Sequence, residues 1–97
     1  MELRHLRYFI AVAEEQHFYR AARRVGIEQS PLSRAIRELE RDIGVILLAR
    51  SSRGSKVTPE GEIFLHHARA IVESADFALR AVRSAAGVKP HISATKG

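Results

Sequence analysis

Apolar residues recur along this chain with the period of helices, interrupted once by a short run of strand-like length. Leu3, Leu6, Ile10 and Ala13, with Phe9 and Val12 alongside, predict a first helix with a broad apolar face. Glu14-Glu15-Gln16-His17 closes it and turns the chain. Phe18, Ala21, Ala22 and Val25 make a shorter stripe, which Gly26 is placed to end in a left-handed conformation. Leu32, Ile36, Leu39 and Ile43 then recur at steps of four, three and four residues, one face of a third helix. Pro31 suits its first turn, where a missing N–H costs nothing, and Gly44 is a C-terminal stop. At about 100° per residue, Ser30, Arg34, Arg37 and Arg41 fall roughly opposite the apolar stripe. Helix, short turn, helix with cations outward describes a helix-turn-helix DNA reader. The other reading is a merely solvated basic face, which many proteins carry without touching nucleic acid.

Val45 to Arg50 is apolar and short enough for a strand, Ser51 to Ser55 is a turn by composition, and Lys56-Val57-Thr58 reads as the return strand. A hairpin tipped by Arg53 and flanked by Arg50 and Lys56 would be a wing; the alternative is a surface loop with incidental charge. Thr58-Pro59-Glu60 starts a further helix: an N-cap hydroxyl, proline at the first position, then an acid near the positive end of the dipole. Gly61 stands where a capping box would have Glu or Gln. Phe64, Ala68, Ile71, Ala75, Ala78, Val82 and Ala85 alternate steps of four and three, and Leu65, Val72, Leu79 and Ala86 form a parallel stripe. A helix from Pro59 to about Ala86 is roughly 40 Å long at 1.5 Å per residue, more than so small a body covers. Core packing accounts for Phe64 and Leu65. The rest predicts pairing with a second copy through Ala68, Ile71, Val72, Ala75, Ala78, Leu79 and Val82. Gly87 and Pro90 end the helix.

With 97 residues there is room for one small body with a modest core. Hydrophobic content of 45% and charged content of 28% are those of an ordinary globular chain. There is no cysteine, hence no disulfide or thiolate metal site. Met1-Glu2-Leu3-Arg4 lacks the apolar run of a signal peptide and no stretch approaches a membrane span, so the expected location is the cytoplasm. The formal charge is +5. From Phe18 to Lys56 there are nine basic residues (Arg20, Arg23, Arg24, Arg34, Arg37, Arg41, Arg50, Arg53, Lys56) and four acidic ones (Glu28, Glu38, Glu40, Asp42). Nine minus four is +5, so the whole excess lies on the helix pair and the loop after it. His66-His67 point to different faces of a helix and no His-Glu-x-x-His accompanies them. No nucleophile motif and no glycine-rich phosphate loop is present. The expectation is therefore a non-enzyme without cofactor or metal: a DNA reader, or else a dimerisation module whose basic face serves solubility.

The chain resembles the N-terminal DNA-binding domain of LysR-type transcriptional regulators. The matching stretches are Leu3-Arg4-His5-Leu6-Arg7-Tyr8-Phe9, Phe18-Tyr19-Arg20-Ala21-Ala22, Gln29-Ser30-Pro31-Leu32-Ser33-Arg34-Ala35-Ile36, Leu39-Glu40, Ile43-Gly44-Val45, Leu47-Leu48-Ala49-Arg50 and Val57-Thr58-Pro59-Glu60-Gly61. Order and spacing hold without a gap to about Leu65. Three positions depart from the family pattern: Leu48 replaces the usual phenylalanine, Tyr19 a small hydroxyl residue, and Ser30-Pro31 stands at a variable site that tunes base preference. The resemblance implies a mainly α fold, a winged helix-turn-helix with a three-helix core and small hairpin, followed by a long linker helix that pairs antiparallel in a homodimer. It divides the chain into a DNA-binding part over residues 1–58, a linker and dimerisation helix over 59–87, and a tail over 88–97 leading to an effector domain. Double-stranded DNA with an inverted-repeat site is the implied partner, and a small-molecule effector belongs to the absent C-terminal domain. Gln29, Ser30, Pro31, Ser33 and Arg34 match the contact positions at the start of the recognition helix. Arg37 and Arg41, further along the same face, suit phosphates, Arg20 is a further DNA-binding residue, and Arg50 and Arg53 would hold the wing against backbone or minor groove.

Overall fold

The computed structural model describes residues 1–88. Its elements run α1 (Leu3–Glu15), α2 (Phe18–Val25), α3 (Gln29–Ile43), β1 (Leu48–Ser51), β2 (Gly54–Val57) and α4 (Pro59–Ala85). The helix ends follow local chemistry. Gly26 and Gly44, with φ of 78° and 82°, close α2 and α3 in the left-handed region, where a side chain is disfavoured. Gln16 closes α1 in the same conformation without being glycine, at φ 60°, its N–H donating to the Val12 carbonyl at 2.8 Å.

The apolar stripes of α1, α2 and α3 meet. Phe9, Val12, Leu32, Ile36 and Leu39 are fully enclosed, Leu6 and Ala22 nearly so, and Ile10 packs at the edge. Removing a side chain such as Leu32 to alanine costs about 2–5 kcal/mol in a core of this kind.

The hairpin is shorter than the sequence predicts. Its strands pair antiparallel with Ala49 opposite Lys56 and Arg50 opposite Ser55. Val45 and Ile46 are not strand but exposed loop, because the backbone there is claimed by other partners. Glu40, on the core side of α3, is buried, and its Oε2 accepts from the Leu47 and Leu48 N–H groups at 2.8 and 3.1 Å. The Leu47 carbonyl accepts from Thr58 N–H at 3.0 Å, and the Ile46 carbonyl accepts from the Thr58 hydroxyl at 2.8 Å. Thr58 Oγ1 also caps α4, accepting from Gly61 N–H at 2.9 Å. The missing capping-box acid has a steric reason. A Cβ at Gly61 would stand 2.2 Å from the Leu47 carbonyl oxygen and 2.7 Å from Val57 Cγ1, so only glycine lets α4 approach this closely.

α4 leaves the body part-way along its length. Leu65 and Ala68 are buried, and the Phe64 ring meets Phe9 at 5.5 Å between centroids. Two ion pairs extend the docking along α1: Arg69 to Glu14 at 2.8 Å and Arg7 to Asp76 at 2.8 Å. Each arginine hydrogen bond holds its carboxyl below the usual range, with Arg24 adding to the effect on Glu14. Beyond Asp76 the helix is exposed all round, and the longest dimension of the described residues is 47 Å. The expected seam is corrected at Ala68, which has no exposed surface because it packs inward as part of the body. Val72 and Ala75 are half covered, whereas Ile71, Ala78, Leu79 and Val82 are exposed. Phe77, outside both predicted stripes, is 65% exposed. Pro90 and nearly all of the predicted tail lie outside the described residues.

Candidate nucleic-acid interface

The N-terminal half of α3 projects from the fold because its opposite stripe is sunk in the core. Gln29, Ser30, Arg34 and Arg37 are exposed, while Pro31 and Ser33 are half-buried at its edges. Among the described residues, Arg20, Arg34, Arg37 and Arg53 form no ion pair. Their charge is thus free for an external anion. Arg53 sits at the exposed hairpin turn, its N–H donating to Ser51 Oγ at 3.2 Å. Arg24, counted in the same basic excess, is already neutralised: Glu14 at 2.7 Å and Glu15 at 3.3 Å hold it.

Tyr19 is exposed at the start of α2, with Arg23 stacked 5.9 Å from its ring centroid and the Arg23 Nη1 3.4 Å from its hydroxyl. The hydroxyl at this departure from the family pattern stands at the end of a ring, so its reach differs from that of a serine or threonine.

Arg50 is the site residue whose placement differs from the expectation. Instead of extending from the wing, its guanidinium turns inward. Nη1 donates to Ser33 Oγ at 2.6 Å, and the group lies 4.4 Å from the centroid of the Phe18 ring. Its side chain is 24% exposed, and Glu40 Oε1 stands 4.0 Å away. Burial, and then repulsion by Arg37, lower its pKa, while Glu40 acts in the opposite sense. The inward turn follows from what surrounds the root of β1: an aromatic face, a hydroxyl and a buried carboxylate favour a planar cation there.

Sequence reasoning passed over Phe18 and Glu40 as parts of this surface's support. Glu40 had a signal, since it falls four residues after Ile36 on the apolar face of α3, where an acid needs internal partners. Phe18 had none beyond its place in an apolar stripe.

Residues 3–62 match the bacterial regulatory helix-turn-helix proteins of the lysR family. The chain is 59% identical over 69 residues to the HTH-type transcriptional regulator AlsR of Bacillus subtilis (strain 168), covering 71% of this chain and 23% of that protein. It is 47% identical over 92 residues to the HTH-type transcriptional regulator BenM of Acinetobacter baylyi (strain ATCC 33305 / BD413 / ADP1), covering 95% of this chain and 30% of that protein. The chain therefore spans less than a third of either regulator. Among solved structures, it resembles the BenM DNA-binding domain in complex with the catB site 1 DNA, with a TM-score of 0.86 at 46% identity over 92% of this chain and 100% of that one. The CbnR DNA-binding domain in its DNA complex follows at a TM-score of 0.84 and 46% identity, over 89% of this chain and 99% of that one. The sequence match, the hairpin beside α3 and the free cations agree: this chain belongs to the lysR family of bacterial regulatory helix-turn-helix proteins and comprises its winged DNA-binding fold.

Proposed function

We propose that this chain reads duplex DNA as a homodimer and regulates transcription, without catalysing a reaction. The observation that carries this is the exposed face of α3, whose Arg34 and Arg37 have no ion-pair partner among the described residues while the opposite face is sunk in the core. A major groove of B-DNA admits one helix, and the residues at its N-terminal end meet the base edges. Arg34 reads a guanine through O6 and N7, with Gln29 on an adenine or a phosphate and Ser30 and Pro31 tuning the choice. Arg37, Arg20 and the wing residue Arg53 hold the sugar-phosphate backbone or the minor groove.

The residues fall into a DNA-binding part over 1–58, a dimerisation helix over 59–87 and the start of a tail from 88. Two copies paired through the outer part of α4 present two such helices about a dyad, which calls for an inverted-repeat site. A small-molecule effector belongs to protein outside this chain, in keeping with the greater length of AlsR and BenM. The place of action is the bacterial cytoplasm, on the nucleoid.

Titration of a labelled duplex across salt concentrations tests the proposal. The logarithm of the association constant falls linearly with that of salt, with a slope of about −0.9 per phosphate neutralised. Affinity that stays flat between low and physiological salt excludes the DNA role and leaves a dimerisation module whose basic face is only solvated.

A further inference from the structure

Ser33 and Arg50 differ from their neighbours on the contact face because each already holds the other. Arg50 Nη1 donates to Ser33 Oγ at 2.6 Å, and Nη2 to the Ser33 carbonyl at 3.5 Å. The guanidinium is pinned from two further sides, by the Phe18 ring at 4.4 Å and the Glu40 carboxylate at 4.0 Å. Glu40 is itself held by two backbone N–H groups, so the guanidinium, carried on β1, rests on groups from α2 and α3.

The chemistry of the two groups then constrains Ser33. A guanidinium offers five donors and no acceptor; a hydroxyl offers one proton and two lone pairs. With Oγ accepting from Arg50, the Ser33 proton must serve some other acceptor. A serine within a helix often donates to a carbonyl one turn back. Among the described residues the Ser33 hydroxyl instead has one hydrogen bond, the one it accepts from Arg50. An unconstrained serine can present either a donor or an acceptor to a base edge. Here a donor approaching Oγ also meets a cation, while a bond to charge polarises the O–H and strengthens what it donates.

We infer that Arg50 is a positioning residue for DNA reading: it holds Ser33 as a polarised hydrogen-bond donor toward an acceptor on the duplex. This rests on the α3 reading proposed above. The acceptor is a purine N7 or O6, a thymine O4 or a phosphate oxygen; the amino group of cytosine is selected against. It also moves Arg50 from contact to support. The wing's hold on the backbone then rests on Arg53, and Arg50 sets what α3 can recognise.

The test begins with a duplex enriched by the unaltered chain from a randomised inverted-repeat library. If none is enriched over random DNA, the α3 reading fails and this inference fails with it. On the enriched duplex, Ser33→Ala weakens binding about tenfold, the size of a lost hydrogen bond to a polarised group. Arg50→Lys keeps the charge but not the planar fork, and it weakens binding to a similar degree. The double variant binds no worse than either single one. Losses that multiply in the double variant show that the two residues act independently and overturn the inference. So does an Arg50→Lys variant with a lowered melting temperature and equal losses on enriched and random DNA, the mark of a purely structural role.

The acceptor is located by replacing purine N7 with carbon, guanine O6 or thymine O4 with sulfur, or a phosphate with methylphosphonate, one position at a time. On the duplex lacking the right acceptor, Ser33→Ala has no further effect. A Ser33→Ala loss that survives every such replacement also overturns the inference.

Discussion

The exposed face of α3 and the outer part of α4 are both surfaces that this fold leaves uncovered, for opposite chemical reasons. On α3 the uncovered groups are Arg34 and Arg37, which water solvates well and an anion solvates better. On α4 they are Phe77, Leu79 and Val82, the last 68% exposed, and water solvates none of them well. The first surface draws a polyanion through a force that salt screens. The second draws another apolar surface at roughly 25 cal/mol per Å² of apolar area covered, with little regard to salt. A regulator that holds DNA as a dimer needs both, and the two should fail separately. Between them lies a stiff joint. Thr58 bonds back to Ile46 and Leu47, Gly61 admits the close approach of α4, and Glu40 ties the same loop to α3. The angle between α4 and α3 is therefore built in.

The largest separation is expected from Ala78→Glu. Two copies of that carboxylate brought together in a desolvated seam cost several kcal/mol. In sedimentation at micromolar concentration the variant runs as a monomer where the unaltered chain is a dimer. It loses preference for an inverted repeat but keeps weak, salt-sensitive DNA binding, and it stays folded as a monomer because Ala78 is exposed in the single chain. A variant that still sediments as a dimer puts the seam elsewhere, with Phe77 and Ile63, each 65% exposed, the next positions to alter.

Arginine replacements sharpen the other side. Arg34→Ala should weaken binding to the preferred duplex by about 1–3 kcal/mol and relax one base pair in each half-site, with a smaller loss on random DNA. Arg53→Ala should weaken all sequences alike and make the salt slope shallower by about 0.9 for each phosphate released. Competition titrations on both kinds of duplex distinguish them. Equal losses for Arg34→Ala reduce it to a backbone contact. Neither variant should alter the sedimentation of the free protein.

The smallest effect concerns the docked part of α4. Arg69 and Arg24 hold the Glu14 carboxyl below its ordinary 4.5, so its ion pairs stabilise the folded chain above the unfolded-state value. That contribution fades as pH falls through the lower folded-state value. The melting temperature should therefore drop more between pH 5 and pH 3 for the unaltered chain than for Glu14→Gln. These side chains are partly exposed, and solvent screening keeps the contribution below about 1 kcal/mol. Equal pH dependence in the two proteins shows that the Glu14 ion pairs contribute nothing measurable to the docking of the helix.

Helix number, helix ends and the outward cations were determined by the sequence, because each depends on residues within one or two turns. Leu32, Ile36 and Leu39 mark a face by their spacing alone; Gly44 and Thr58 mark boundaries by their own chemistry. The family, too, is carried by ordered local motifs. Only the tertiary structure decided how far a face is covered and where a long side chain goes. Ala68 and Val82 occupy matching places in one seven-residue repeat, yet the first is buried in the body and the second is exposed among the described residues. Arg50 and Arg53 belong to one hairpin, yet Phe18, Ser33 and Glu40 gather the first inward while the second stays in water. Periodicity reports the direction of a side chain from its own axis. What meets it there comes from elements distant in sequence, and that meeting separates a contact from its support.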